Sequence, residues 1–392
     1  MKTKKYLFVL LLLIFCFSAC DKKEQKNDDL DENGLIIVNT KKEYSKKDID
    51  WAENAESIEY IPLETNKDFL TEPGSKIIGF TDDYIIYSVN RHNQILIFDR
   101  QGKALRKIAK QGNGPEEYLS IYKSCYDDKA QEVFIHDIFQ SNIKVYNLYG
   151  DFLRSFPTLN KGKSDRFSYQ EMENYNEKYL ICYVKDNSIK YPFFLISKQD
   201  GKKYKDIKVS YVKKLSIDKS FPGSTVRLGG WYPLIKSGDG FVLKEPSSDT
   251  LYYISPSENS PKPLIIQTPS VQETSPPTFL VPRYQVDNYL FIQHYQMVFD
   301  SIGGTGFPGA DLFFDYRDQR VYEHGSQYYN NISFYPVVTH SSRHNVLIAT
   351  RLADRAIDAF KDNEKIDKRL RDIVSTMDED DNQLLIVVTL KE

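Results

Sequence analysis

The feature that most constrains the fold is a pattern of short apolar segments that recurs after about 48 residues. Within each copy, aromatic and β-branched residues alternate with polar residues between tight turns, which is typical of β-strands. The equivalent residues are Ile95 and Ile143, Phe98 and Tyr146, Gly102 and Gly150, and Leu105 and Leu153. Self-similarity at a period of roughly 40–50 residues, with four strands in each copy, predicts a β-propeller.

Further copies of the pattern follow towards the carboxyl terminus. The third begins near Tyr179 and ends with the turn at Gly201, and later copies begin near Gly240, Tyr289 and Phe334. A chain of 392 residues is long enough to bury a core of this size. We therefore expect an all-β fold, a six-bladed β-propeller with four-stranded blades.

Two segments lie outside the regular repeat. A predicted strand at residues 57–64 precedes the first full copy, and residues 384–390 form the last strand-like run. Since a propeller must avoid exposed sheet edges, we expect the N-terminal strand to close the last blade beside the C-terminal one. Between the sixth copy and the C-terminal strand, residues 353–376 carry apolar side chains at helical spacing, which predicts one helical insertion near the C-terminus.

The amino terminus has the layout of a bacterial lipoprotein signal peptide. Three lysines within residues 2–5 precede an apolar run from Tyr6 to Phe17, and a Phe-Ser-Ala-Cys lipobox ends at Cys20. The apolar run is shorter than the ~20 residues that a membrane-spanning helix needs. We therefore predict that residues 1–19 are a signal peptide and that Cys20 carries a lipid that joins the protein to the membrane.

The residues after Cys20 bear on where the protein is located. Residues 20–33 are strongly charged with hardly any apolar side chains, which predicts a disordered tether before a propeller domain at residues 34–392. We expect an outer-membrane lipoprotein of the cell envelope, facing either the periplasm or the cell surface. The alternative is retention in the inner membrane, which an aspartate at the position of Asp21 favours in some bacteria.

Charge and cysteine content exclude several classes of function. The net charge of −3 argues against a nucleic-acid partner, which requires a basic surface. Cys125 and Cys182 each lie in an apolar strand-like segment, so we expect two small buried hydrophobic residues, with a disulfide between them as the alternative. Because no Cys-x-x-Cys pair occurs, a structural zinc site is not expected.

Four segments occur in a characteristic order along the chain. They are residues 57–65, residues 95–103, residues 111–118 with Gly-x-Gly-Pro-x-Glu-Tyr, and residues 380–387 with Asp-Asn-Gln. Together they resemble the six-bladed, NHL-like β-propeller lipoproteins of gut anaerobes, whose function is largely unassigned. The resemblance spans nearly the whole mature chain and implies the fold and the compartment, but it brings no catalytic motif.

Polar side chains are expected to gather at one mouth of the central channel. The turns between the second and third strands of each blade share a face with the links between blades, and propellers usually bind ligands there. The candidate ligand-binding residues are Arg91, His92, Glu116, His136, Asp137, Asp186 and Trp231. Glycines before Trp231 would expose its ring for stacking on a sugar. The alternative is that these residues are ordinary polar loops and aromatic core.

The function that fits these features is non-catalytic binding of a glycan, a peptide or a protein partner, with no metal or other cofactor. The alternative is a metal-dependent lyase or lactonase, in which Glu116 and Asp137 would be ligands of a Ca²⁺ ion. Such an enzyme needs charged side chains from at least three blades that converge at the channel mouth. No Gly-x-Ser-x-Gly motif occurs, and no pattern of Ser, His and Asp or of Cys and His in the sequence indicates nucleophilic catalysis.

Overall fold

The protein is built almost entirely of β-strands. The computed structural model describes residues 29–159, 168–186, 189–221, 224–227, 232–258, 260–298, 306–330, 332–337 and 345–391. Within these ranges six blades surround a central channel, as the repeat predicted. None of the helices in the described ranges is long and apolar enough to cross a membrane.

Three strands precede the first complete blade, and three regular blades follow them. The N-terminal strands are β1 (Ile36–Asn39), β2 (Lys46–Asp50) and β3 (Ala55–Pro62). Blade 1 contains β4 (Lys76–Phe80), β5 (Tyr84–Val89), β6 (Gln94–Asp99) and β7 (Ala104–Ile108). Blade 2 contains β8 (Lys123–Asp127), β9 (Glu132–Asp137), β10 (Asn142–Asn147) and β11 (Phe152–Pro157). Blade 3 contains β12 (Glu171–Asn174), β13 (Tyr179–Tyr183), β14 (Phe193–Ser197) and β15 (Lys203–Ile207). Consecutive strands are antiparallel neighbours, and the first strand of each blade is the innermost.

A hairpin separates blade 3 from the remaining blades. It consists of β16 (Asp218–Phe221) and β17 (Ser224–Arg227). Blade 4 contains β18 (Leu234–Ser237), β19 (Gly240–Leu243), β20 (Thr250–Ile254) and β21 (Lys262–Thr268). Blade 5 contains β22 (Thr278–Val286), β23 (Tyr289–Gln296), β24 (Gly309–Asp315) and β25 (Arg320–Tyr329), to which β26 (Ile332–Ser333) is added. Blade 6 contains β27 (Val346–Arg351) and β28 (Leu384–Leu390), and the N–H of Val337 donates to the carbonyl of Ile348 on its inner side at 2.8 Å.

The N-terminal strands complete three successive blades. β3 is the outermost strand of blade 6 and pairs antiparallel with β28, where Ile61 lies opposite Leu385, so the predicted closure is confirmed. β1 pairs in parallel with β21 of blade 4, and β2 pairs in parallel with β25 of blade 5. These two additional edge strands were not predicted.

The described residues begin within the segment that was predicted as a tether. Asp29 is buried, accepts a hydrogen bond from the N–H of Val321 at 3.1 Å and lies 2.6 Å from the Nζ of Lys42. The propeller therefore begins before residue 34. The predicted signal peptide, the lipidation site Cys20 and the first part of the tether lie outside the described residues.

The predicted helical insertion contains two helices instead of one. They are α1 (Ala353–Phe360) and α2 (Lys368–Val374). The carboxylate of Asp367 accepts a hydrogen bond from the N–H of Arg369 at 2.9 Å, which caps a new helix and interrupts the continuous one that the apolar spacing predicted. Apolar side chains of both helices pack into the cluster between blades 5 and 6.

Apolar clusters join neighbouring blades. Ile97 and Ile135 belong to the cluster between blades 1 and 2, and Cys125 and Cys182 belong to the cluster between blades 2 and 3. Both thiols are buried and free, so the prediction of two buried cysteines is confirmed and the alternative disulfide is not present. Burial raises the pKa of both thiols well above its ordinary value, which keeps them protonated and unreactive.

Two equivalent glycines of the repeat offer a matched test of how closely the blades pack. Gly102 and Gly150 have φ angles of +85° and +84°, but a Cβ atom would lie 2.3 Å from the carbonyl oxygen of Pro62 at Gly102 and no closer than 3.8 Å to any atom at Gly150. We expect Gly150→Ala to cost about 1 kcal/mol from backbone strain alone and Gly102→Ala about 2–3 kcal/mol, because the closing strand must also move. Urea denaturation of both variants measures the loss in the free energy of unfolding. Equal losses would contradict the prediction that a Cβ atom at Gly102 meets the closing strand.

Candidate functional site

The innermost strands of four consecutive blades bring charged side chains together around the channel. Lys76, Lys123 and Glu171 are the first residues of β4, β8 and β12, directly after the links between blades. Glu173 follows on β12, and Lys236 lies on β18 of blade 4. These five residues are named the channel cluster below. The face of the propeller that carries the inter-blade links is named the upper face.

Strand geometry explains how blade 3 contributes two of these residues. Successive side chains of a strand point to opposite faces of the sheet, so residues two apart share a face. Met172 is buried in the apolar cluster with blade 2, which leaves Glu171 and Glu173 on the other face of β12. An oxygen of Glu171 lies 2.9 Å from the Nζ of Lys123, and this ion pair joins blades 2 and 3 at the upper end of the channel.

The two lysines of blades 1 and 2 lie side by side. The side chain of Lys76 is accessible to water, but protein lies on several sides of it, as expected of a side chain that lines a channel. Burial lowers the pKa of Lys76, the neighbouring Lys123 lowers it further, and Glu171 and Glu173 oppose both effects. Burial also lowers the pKa of Lys236, which Glu173 raises in part. The cluster contains three lysines and two glutamates, so its formal charge is positive.

His136 lies directly behind this cluster. It is opposite Lys123 in the pairing of β8 with β9 and is fully buried between two aromatic rings, whose centroids lie 5.5 Å away for Tyr122 and 5.0 Å for Tyr169. Burial, assisted by the charge of Lys123, lowers the pKa of His136 to about 4, so the imidazole is neutral at physiological pH.

Stability should therefore depend on pH through His136. An unfolded histidine titrates near its ordinary pKa of 6.5, so between roughly pH 6.5 and pH 4 the unfolded state binds a proton that the folded state excludes. We expect the free energy of unfolding to fall as the pH falls through this window, by up to about 3 kcal/mol from this group. Urea midpoints at pH 4.5 and 7 measure the loss. The loss of stability between pH 7 and pH 4.5 should be smaller in His136→Phe than in the native protein, and the control His92→Ala should lose as much as the native protein. A loss in His136→Phe as large as the native one would contradict the prediction.

Two neighbouring clefts lie on the lower face, where the channel has its other mouth. Lys236 and Asp239 of blade 4 and Glu177 of blade 3 line a cleft of about 670 Å³. A second cleft of about 630 Å³ shares Glu177 with the first and contains the stacked rings of Tyr179 and Tyr204, whose centroids are 4.2 Å apart. Polar and aromatic surfaces therefore continue from the channel cluster to the lower face.

The two residues proposed as metal ligands, Glu116 and Asp137, lie in surroundings that differ from those of a metal site. Asp137 is fully buried, and its carboxylate accepts hydrogen bonds from the N–H groups of Leu119 at 2.6 Å and Phe139 at 2.9 Å. Glu116 is exposed, and its backbone carbonyl accepts the hydroxyl of Tyr146 at 2.6 Å. Asp137 thus fixes the loops around it, and no group of three or more His, Cys, Asp or Glu side chains suited to a metal occurs in the described part of the chain.

The remaining predicted residues are dispersed. Arg91 and His92 lie on an exposed 3₁₀ turn, and the Nε2 of His92 is 3.5 Å from a carboxylate oxygen of Glu72. Asp186 is exposed in the connection between β13 and β14 of blade 3, and Trp231 lies outside the described residues. Among the predicted residues that are described, His136 is the one that borders the channel cluster.

Sequence reasoning missed the channel cluster, although the repeat contained a signal for it. Lys76, Lys123 and Glu171 occupy the same position, the first residue of the innermost strand, in three successive copies. A charged residue immediately before the first apolar run of each copy marks the channel lining. The prediction considered only the turns between strands and the links between blades.

Comparison with known proteins adds a family and two similar structures. Residues 35–389 match the family model of a domain of unknown function, DUF4934. A protein of Bacteroides fragilis whose name marks it as exported has 14% sequence identity and a TM-score of 0.61, with 91% of this chain and 100% of that chain covered. A member of the DUF4221 family from Bacteroides vulgatus has 11% identity and a TM-score of 0.49, with 86% and 97% covered.

No curated protein has a matching sequence. The similarity to the Bacteroides fragilis structure at this level of identity supports the fold alone. The family match covers the complete ring of blades, from β1 to the last strand, and agrees with the resemblance to propeller proteins of gut anaerobes. The chain therefore belongs to the DUF4934 family, whose function is unassigned.

Proposed function

We propose that the protein is an envelope-anchored lipoprotein whose propeller binds a glycan, a peptide or a protein partner without catalysing a reaction. The observation that carries the proposal is the channel cluster, in which blades 1 to 4 each contribute a charged side chain that is at least partly exposed and acts on its neighbours in the cluster. Convergent polar groups from separate elements of a rigid scaffold are typical of ligand sites. The aromatic and polar clefts on the lower face offer further contacts to a large ligand.

The composition of the cluster favours binding over the metal-dependent alternative. A Ca²⁺ ion takes six to eight oxygen ligands, whereas two of the side chains at the upper end of the channel are the ammonium groups of Lys76 and Lys123. These groups repel a divalent cation. The carboxylate of Asp137, one of the two ligands in that alternative, already accepts hydrogen bonds from backbone N–H groups.

The lipid anchor rests on the sequence around Cys20. The lipobox ends at this residue, nine residues before Asp29, which packs on the rim of the propeller. The exported protein of Bacteroides fragilis with a similar fold also supports a location outside the cytoplasm. Labelling of growing cells with an alkyne fatty acid tests the anchor. We expect the native protein to be labelled and a Cys20→Ala variant to be unlabelled.

Binding is tested with the mature chain, kept soluble by Cys20→Ser, on glycan and peptide arrays. A double variant, Lys123→Met with Glu171→Gln, removes the ion pair of the channel cluster as a unit. The exposed ion pair between Lys262 and Glu258, which lines neither cleft, can be removed as the matched control. A ligand that loses affinity for the channel variant and not for the control supports the proposal.

Two results would decide against it. Binding that is unaffected by the channel variant would exclude the channel as the ligand site. About one bound metal ion per chain, together with a melting temperature that falls in the presence of a chelator, would favour the lyase or lactonase instead.

A further inference from the structure

We propose that the ligand presents an oxyanion, such as a carboxylate or a phosphate, to Lys76 and Lys123 at the upper end of the channel. This inference rests on the proposed binding function and names the chemical class of the ligand. It follows from an imbalance of charge within the channel cluster.

Lys76 lacks a counter-charge of its own. Lys123 has a carboxylate oxygen of Glu171 at 2.9 Å, whereas no carboxylate oxygen lies within 4 Å of the Nζ of Lys76 among the described residues. The ammonium groups of Lys76 and Lys123 are close enough to lower the pKa of Lys76. Two adjacent cations that share one carboxylate leave a positive charge that an anion can neutralise.

The other titratable groups around this position do not remove the imbalance. His136 lies behind Lys123 and is neutral at physiological pH, so it neither adds a positive charge nor supplies a negative one. Glu173 acts on Lys76 and also on Lys236, so one carboxylate serves two lysines. The five residues of the cluster therefore carry one net positive charge when all of them are ionised.

An anion can reach this position from solvent. Lys76 is exposed and lies at the upper end of the channel, directly after the link that precedes β4. It is nevertheless surrounded by protein, since burial is the largest cause of its lowered pKa. A charge pair in such a partly desolvated place is stronger than one on an open surface, where screening makes lysines weak anion sites.

Isothermal titration of the mature Cys20→Ser chain with three probes tests the inference. The probes are glucuronate, inorganic phosphate and glucose, and the last is the uncharged counterpart of the first. We expect glucuronate or phosphate to bind and glucose not to bind. Affinity should fall about tenfold in Lys76→Gln, remain in Lys76→Arg and be unchanged in Lys262→Gln, because Lys262 is an exposed lysine on β21, at the outer side of blade 4 and away from the channel and the clefts. Binding of glucuronate alone identifies a sugar acid, and binding of phosphate alone identifies a phosphorylated ligand.

A second measurement does not depend on the affinity of a probe. Reductive methylation with ¹³C-formaldehyde gives each lysine an NMR signal, and the signal of Lys76 should titrate at a lower pH than those of exposed lysines. Adding the bound anion should raise this pKa, because the anion favours the charged form.

The inference is overturned if neither anion binds, if glucose binds as well as glucuronate, or if Lys76→Gln binds the anion like the native chain. The binding function has a separate outcome. If an uncharged glycan or peptide from the arrays still binds in a channel-dependent way, that function stands and only the oxyanion is excluded.

Discussion

Replacing Asp127 with alanine should lower the free energy of unfolding by about 3–5 kcal/mol. Asp127 is the last residue of β8, and its carboxylate forms an ion pair with the ammonium of Lys198 in the adjoining blade 3. The side chains of these two residues are only 3% and 6% exposed. The variant leaves the charge of Lys198 buried without a partner, and an uncompensated buried charge costs far more than a broken surface pair. Urea denaturation followed by tryptophan fluorescence measures the loss.

Two further variants separate the buried charge from other effects. Lys129→Ala removes an exposed ion pair with Glu177, whose side chains are 79% and 74% exposed, and should cost less than about 1 kcal/mol. The double variant Asp127→Leu with Lys198→Met removes both charges and should recover most of the stability lost in Asp127→Ala. A loss below 1 kcal/mol in Asp127→Ala would mean that water or a shift of Lys198 solvates the ammonium.

Trp51→Ala should cost a similar amount, about 3–5 kcal/mol, for a different reason. Trp51 is fully buried in a 3₁₀ turn between β2 and β3 and makes an edge contact with Tyr289, with ring centroids 5.5 Å apart. Its Nε1–H donates to the Oε1 of Gln327 at 3.0 Å. Alanine leaves a cavity between the N-terminal segment and blade 5 and also deprives a buried amide oxygen of its donor.

Trp51→Phe is the matched control because it fills most of the cavity but cannot donate the hydrogen bond. It should cost about 1–3 kcal/mol, the range for a buried acceptor without its partner. Urea denaturation gives the loss in the free energy of unfolding for each variant, and limited proteolysis tests whether the N-terminal strands are released first. Equal losses for alanine and phenylalanine would show that the hydrogen bond, and not the packing, holds this segment.

The regular part of the fold could be predicted because its signals are local. In blades 1 and 2 the apolar residues, the turns and the glycines all recur at one spacing, as Ile95 and Ile143 illustrate, so each blade is specified by about 48 consecutive residues. The closure by β3 followed from the need to cover sheet edges. β1 and β2 were missed because their partners, β21 and β25, lie more than 200 residues away, and parallel edge pairing leaves no local pattern.

The site was harder to predict because its residues come from four blades. Glu171 and Lys123 are 48 residues apart in sequence, and each resembles an ordinary charged residue at the start of a strand. Asp137 was chosen for its place at a turn, yet it is an acceptor for backbone N–H groups of neighbouring loops, which polarity and position alone do not distinguish from a ligand. His136 was expected near a channel mouth, but its burial depended on Tyr122 and Tyr169, whose packing the sequence does not specify.

The three N-terminal strands have a consequence for the order in which the chain can assemble. They are synthesised before the strands with which they pair. β1 can pair only after Ile265 of β21 has been made, β2 only after Glu323 of β25, and β3 only after Leu385 of β28. Blades 1 to 3 can form from consecutive residues, whereas the ring closes only after nearly the whole chain has been made. Contacts of such long range are slow to form, and until then several strand edges remain open to other chains. β3 is therefore made early but is the last of the three strands to find its partner, and a chain that is cut short before residue 384 leaves β3 unpaired and the ring open.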